Sequence, residues 1–168
     1  GSETGSTYAF AKAFYNALKN EGNKVFQSSL NEFTTYENAT HLIVFTATYG
    51  NGDAPSNARK FEKLLQAIHH KRELKFSVVG FGSLLYPHYC QFAIKVDHLL
   101  YSHSDFLPIQ PLVKINEQSQ VAFTNWVRLW NEHTGMALTI KLPQQKKKIK
   151  KPQTFEVIER TPLNVDNT

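Results

Sequence analysis

Two short apolar runs separated by a helical stripe constrain this chain more than any other feature. His41 to Thr48 and Lys75 to Phe81 are rich in β-branched and aromatic residues and show little apolar–polar alternation. A strand that turns one face to a core alternates, whereas a strand covered on both faces does not. Both runs therefore predict strands of a parallel sheet sandwiched between helices, with 41–48 as a central strand. Between them, Asn57 to Ile68 carries Phe61, Leu64, Leu65 and Ile68 at helical spacing. The same stripe recurs at Phe10, Ala13, Phe14, Ala17 and Leu18 within 8–18, and at Phe92, Ala93, Val96, Leu99 and Leu100 within 89–100. It appears last at Phe123, Trp126, Val127 and Trp130 within 118–131, where the two tryptophans read as core. Lys24 to Gln27 is a further short strand candidate, and Phe106-Leu107 with Leu112 to Ile115 forms one strand interrupted by Pro108 and Pro111. Strands alternating with helices predict right-handed βαβ units and an α/β, doubly wound parallel sheet.

Composition narrows the chemistry. The chain has 168 residues, enough for one core without staples. Cys90 is the single cysteine, which excludes an intrachain disulfide and a cysteine-rich zinc site and fits a reducing, cytoplasmic setting. It reads as a small packing residue. The longest apolar stretch, Leu42 to Phe45, falls far short of the roughly 18 residues that would span a bilayer, so no membrane contact is expected from this segment. The net charge of +5 is uneven: residues 144–168 hold 6 bases and 3 acids, leaving 13 − 11 = +2 for 1–143. That balance does not indicate nucleic-acid binding. Five lysines within 146–151 lie between Pro143 and Pro152 and read as a solvated linker. The seven histidines, His69, His70 and His88 among them, have no metal-ligand spacing and read as surface.

Ligands of a doubly wound sheet lie at the carboxyl ends of its strands, which singles out three loops. The first, Ser2-Glu3-Thr4-Gly5-Ser6-Thr7, gathers hydroxyls around a glycine at a helix start. Free N–H groups, hydroxyl donors and the positive helix end suit a phosphate monoester. The lysine of a nucleotide P-loop is absent, and an ordinary Ser/Thr helix cap is the competing reading. The second loop, Thr46-Ala47-Thr48-Tyr49-Gly50-Asn51-Gly52-Asp53-Ala54-Pro55, pairs an aromatic ring with two glycines that permit close backbone approach to a flat ligand, although a plain turn also explains it. The third runs from Gly80 to Cys90 and repeats the theme with Gly82 and Tyr86. Neither Gly-x-Gly reaches the third glycine of a dinucleotide fingerprint, which disfavours classical NAD binding.

Together these segments resemble the FMN-binding, flavodoxin-like domain of the diflavin reductases, the group of sulfite reductase flavoprotein, nitric oxide synthase and the microsomal cytochrome reductase. The resemblance covers about residues 1–131 and implies roles by position. Ser2, Glu3, Thr4, Gly5, Ser6 and Thr7 would form the FMN phosphate loop, and Tyr49 and Tyr86 would sandwich the flavin ring. Gly50 would turn its carbonyl toward the reduced flavin, while Thr48, Asn51, Gly52, Gly82, Ser83, Tyr89 and Cys90 would line the ring edge.

The resemblance also implies a parent protein: an NADPH-dependent diflavin oxidoreductase in which FAD passes single electrons to FMN and FMN to an acceptor protein or domain. Residues 1–143 would be the FMN domain, 144–153 a Lys-rich linker, and 154–168 the start of the FAD-binding reductase domain, its partner in the same polypeptide. A free-standing flavodoxin-like electron carrier is the alternative. In the family a first strand, central in the order 2-1-3-4-5, precedes the phosphate loop. This chain opens on the loop itself, so the expectation is a sheet lacking its first strand, cut from a longer parent that segments outside this sequence could anchor in a membrane.

Overall fold

The computed structural model describes residues 1–34, 38–68 and 73–142. The proposed linker at 144–153, the segment 154–168, and His69 and His70 lie outside the described residues. Helix α1 spans Ser6–Asn20 and β1 His41–Ala47, followed by a short 3₁₀ turn at Ser56–Ala58 and by α2 at Phe61–Gln66. Then come β2 at Leu74–Gly82, α3 at Gln91–Tyr101, β3 at Phe106–Pro108, β4 at Val113–Asn116 and α4 at Gln120–Thr134.

Among the described residues all strand pairings are parallel. β1 lies beside β2, with Ala47 opposite Phe81. β3 and β4 both pair with the other edge of β2, β3 along Leu74–Phe76 and β4 along Val79–Gly82. They are thus the two halves of the interrupted strand that the prolines predict. The ladder bridges the break, since Ile109 N–H donates to Phe76 O at 2.8 Å and the buried Gln110 amide reaches Ser77 Oγ at 3.3 Å.

The sheet separates two apolar layers. On one face α1 and α4 pack Phe10, Phe14, Phe123, Trp126 and Trp130 against Val79, Phe81 and Ile115. On the other, α2 and α3 pack Phe61, Leu65, Val96 and Leu100 against Val44, Phe76 and Val78. This is the expected doubly wound α/β architecture. The two tryptophans are core, each about 1% exposed. Among the described residues no helix is long and apolar enough to cross a membrane.

Three expectations are corrected. β1 is an edge strand: only Val44 and Thr46 are buried, and β2 occupies the centre. Lys24 to Gln27 is not a strand. Both corrections share one cause: among the described residues β1 has no strand neighbour on its outer side and 24–27 has none to pair with. The third concerns 57–68, which is a 3₁₀ turn followed by a six-residue helix. Asn31 stops a continuous helix here, accepting from Lys60 N–H at 2.8 Å and donating to Ser56 O at 2.9 Å.

Candidate functional site at the carboxyl ends of the strands

The first loop is tied to the end of β1. Ala47 N–H donates to Gly1 O at 3.0 Å, Ser2 N–H to Asn57 Oδ1 at 2.8 Å, and Ser56 N–H to the Glu3 carboxylate at 2.7 Å. Glu3 therefore pins the loop to the turn after β1. Ser2 Oγ accepts from Gly5 N–H at 3.0 Å, and the Thr4 and Ser6 hydroxyls share a hydrogen bond of 2.9 Å. Gly5 caps α1 in the left-handed conformation, no side chain caps the helix, and no acid stands in its first turn. Its first amides are thus left for an external acceptor, and the competing reading of an ordinary Ser/Thr cap is not met. Thr7 is buried under the loop.

The second loop closes on itself. Tyr49 and Asp53 exchange backbone hydrogen bonds of 2.9 and 2.8 Å, with Gly50, Asn51 and Gly52 at the tip. Gly50 and Gly52 take φ of 51° and 103°, conformations that cost most side chains strain. Thr48 ties this loop to the third: its N–H donates to Phe81 O at 3.2 Å, and its Oγ1 accepts from Phe92 N–H at 3.1 Å.

In the third loop Leu84 N–H donates to Asn116 Oδ1 at 2.9 Å, Ser83 Oγ reaches the Glu117 carboxylate at 3.4 Å, and Glu117 N–H donates to Gly82 O at 2.8 Å. A β-carbon on Gly82 would come within 3.1 Å of Tyr89 and Cys90, so the loop folds tightly over this point. Cys90 is fully buried at the start of α3, and burial pushes its thiol up to about 11. Burial, then the adjacent Cys90, pushes the Tyr89 phenol up to about 12. Both stay protonated at neutral pH, which fits packing roles.

The aromatic pair behaves differently. Tyr49 is 52% and Tyr86 65% exposed, and Leu84 and Leu85 beside Tyr86 are exposed as well. Large rings left in water at the ends of adjacent strands, next to a lysine-free hydroxyl loop, suit a flat ligand carrying a phosphate monoester. The structure thus brings the three predicted loops to one edge of the sheet. Sequence reasoning missed a fourth: Asn116 and Glu117 brace the third loop, and Glu117 and Gln118 have φ of 48° and 60°. It also missed Asn57, which holds Ser2. The Asn-Glu-Gln-Ser run before α4 was the available signal for the fourth loop.

Comparison with known proteins decides the family. The flavodoxin family model matches residues 1–130. The chain belongs to the flavodoxin family. It is 38% identical over 93 residues to inducible nitric oxide synthase of Carassius auratus, covering 54% of this chain and 56% of that sequence. It is 33% identical over 130 residues to the inducible nitric oxide synthase of Mus musculus, covering 74% of this chain and 11% of that one. The chain therefore spans about half, or about a tenth, of the curated relatives it matches. Among solved structures, a Streptococcus pneumoniae TIGR4 flavodoxin superposes with a TM-score of 0.65 at 22% identity, over 80% of this chain and 93% of that one. Oxidised flavodoxin 1 from Bacillus cereus does so with 0.65 at 16% identity, over 81% and 94%. These two show the fold, and the resemblance to the diflavin reductase FMN domain holds at the level of this flavodoxin-family domain. Family and fold indicate FMN, and the lysine-free loop and the two exposed tyrosines fit it.

Proposed function

We propose that this chain is an FMN-binding electron-transfer domain of an NADPH-dependent diflavin oxidoreductase, working in the cytoplasm. It would take electrons from an FAD-containing reductase domain of the same polypeptide and relay them singly to an acceptor protein or domain. One observation carries the reading: an uncapped helix start ringed by Ser2, Thr4 and Ser6 hydroxyls lies at the same end of the sheet as two exposed tyrosines, in the loops that follow the neighbouring strands β1 and β2. The named relatives, nitric oxide synthases, support the multidomain setting.

Bound FMN would supply reversible acceptance of one or two electrons at its flavin ring. The rest is the work of this chain. The Ser2, Thr4 and Ser6 hydroxyls and the first amides of α1 would hold the phosphate without a cation. Glu3, committed to Ser56, keeps that loop in place. Tyr49 and Tyr86 would cover the ring faces and exclude water from them. The positive φ at Gly50 and Gly52 lets the backbone of the second loop approach the ring edge. Thr48, Ser83, Asn116 and Glu117 tie the loops to α3 and to each other.

Titration of the chain with FMN, riboflavin and FAD, followed by flavin fluorescence, tests this reading. Selective binding of FMN is expected, with Thr4→Ala weakening FMN more than riboflavin. Equal losses would place the phosphate elsewhere, and a folded chain that binds no flavin overturns the proposal.

A further inference from the structure

Lys114 stands behind the third loop. It lies on β4 opposite Gly80 of β2. Paired residues of neighbouring strands share a face, and the face at Gly80 is the one that α3 covers, because a β-carbon there would meet Ala93 and Cys90. On that face the Lys114 ammonium lies 5.6 Å from the centre of the Tyr89 ring. Its charge also reaches Cys90: burial dominates the raised thiol, and Lys114 acts against it. Tyr89 and Cys90 in turn close over Gly82, where a β-carbon would come within 3.1 Å of both. Lys114 is thus one side chain behind the base of the loop that carries Tyr86.

This cation is not neutralised. Among the described residues the ion pairs are Lys95 with Glu62 and Arg128 with Glu132. Glu117, the nearest acid along the chain, accepts instead from the Ser83 hydroxyl at 3.4 Å. The backbone does not compensate either. α3 starts at Cys90 with no side-chain cap and no acid in its first turn, so its positive end adds to the lysine rather than offsetting it. Cations ordinarily gather at the opposite end of a helix. Lys114 therefore puts a positive potential behind Gly82, Tyr89 and Cys90 that no acid among the described residues answers.

We propose that Lys114 tunes the site electrostatically: it favours negative charge on a flat ring held against Gly82, Tyr89 and Cys90, and so makes bound FMN easier to reduce fully. This inference rests on the FMN reading above and adds a residue that the reading does not use. The oxidised flavin ring is neutral, whereas uptake of two electrons and one proton leaves it an anion. A nearby cation attracts the second form and not the first, and charge beside the ring is one of the levers a protein has on flavin potentials. Lys114 is exposed, so water and salt screen the attraction and it weakens as ionic strength rises. Its expected signature is selective: affinity for oxidised FMN is indifferent to the lysine, and affinity for the fully reduced form depends on it.

The test compares the full chain with Lys114→Met, Lys114→Glu and Lys114→Arg. Fluorescence titration gives the affinity for oxidised FMN, and anaerobic dithionite titration against reference dyes gives the potential at which the fully reduced flavin forms. Lys114→Met should leave the first within about twofold. It should weaken binding of the fully reduced form by about three- to tenfold, a fall of about 28–59 mV in the one-electron couple that produces it. Lys114→Glu should move further in the same direction, Lys114→Arg should match the parent, and added salt should shrink the differences. Equal potentials across the series overturn the proposal, as does a shift that Lys114→Arg shares with Lys114→Met. So does a loss of oxidised affinity as large as the loss of reduced affinity, which would make Lys114 a packing partner of the Tyr89 ring. A parent chain that takes up no FMN fails at the first titration: it overturns the FMN reading and this inference with it, and the absence of bound flavin sets that failure apart from the others.

Discussion

β1 and β2 are adjacent, parallel and similar in composition, yet they sit in opposite environments. β2 has neighbours on both edges and a helical layer on both faces, so seven of its nine residues are buried. β1 has the same two layers but, among the described residues, one strand neighbour, and two of its seven residues are buried. Layer coverage alone does not bury a strand; the lateral neighbours decide whether side chains at its margin are closed off from water. Loss of a central residue should therefore cost far more than loss of a comparable one in β1. Phe76→Ala, at a fully buried position, is expected to destabilise by about 3–5 kcal/mol. Ile43→Ala, partly buried, should cost about 1–2 kcal/mol. Urea denaturation measures both. Equal costs would break the comparison.

The same contrast marks what the chain displays. β2 ends in a loop whose base is closed, with Cys90 fully buried, and whose rim is open at Tyr86. Tyr86→Ala should leave stability unchanged and weaken FMN by about 1–3 kcal/mol, the range for burying and stacking one aromatic ring. Calorimetric titration alongside denaturation separates the two effects. An undiminished affinity removes Tyr86 from the site.

Legibility in the sequence followed the range of the interactions. The helical stripes at α1, α3 and α4 and the continuous run at β2 were readable because periodicity reports which faces are covered. The three loops were readable because glycine, hydroxyl and aromatic residues declare their chemistry locally. Periodicity does not report who stands beside a strand, so the run at 41–48 reads as central although β1 is an edge. Nor does it register long-range bonds from side chain to backbone. Asn31, distant in sequence, diverts Lys60 N–H and divides the stripe at 57–68 into a turn and a short helix. Asn116 and Glu117 escaped notice for the same reason, since their partners Leu84, Ser83 and Gly82 lie on another loop.

The smallest effect concerns the charge at Gly1, whose nitrogen donates to Phe45 O at 2.6 Å and whose carbonyl accepts from Ala47 N–H at 3.0 Å. Burial lowers the Gly1 ammonium from 8.0 to about 5, although it donates to Phe45 O. Between pH 5 and 8 the unfolded chain then holds a proton that the folded chain lacks, so stability rises with pH across that window and levels off above it. The terminus can relieve the cost by swinging outward, which limits the gain to on the order of 1 kcal/mol. His41, also lowered by burial and then by Lys75, acts in the same direction below 6.5. Acetylating Gly1 isolates the terminus: it removes the charge and keeps one N–H for Phe45 O. The acetylated chain should be more stable at pH 5.5 and equal to the free chain near pH 8.5. A difference that persists at high pH would mean that the acetyl group stabilises by packing against β1 rather than by removing a charge.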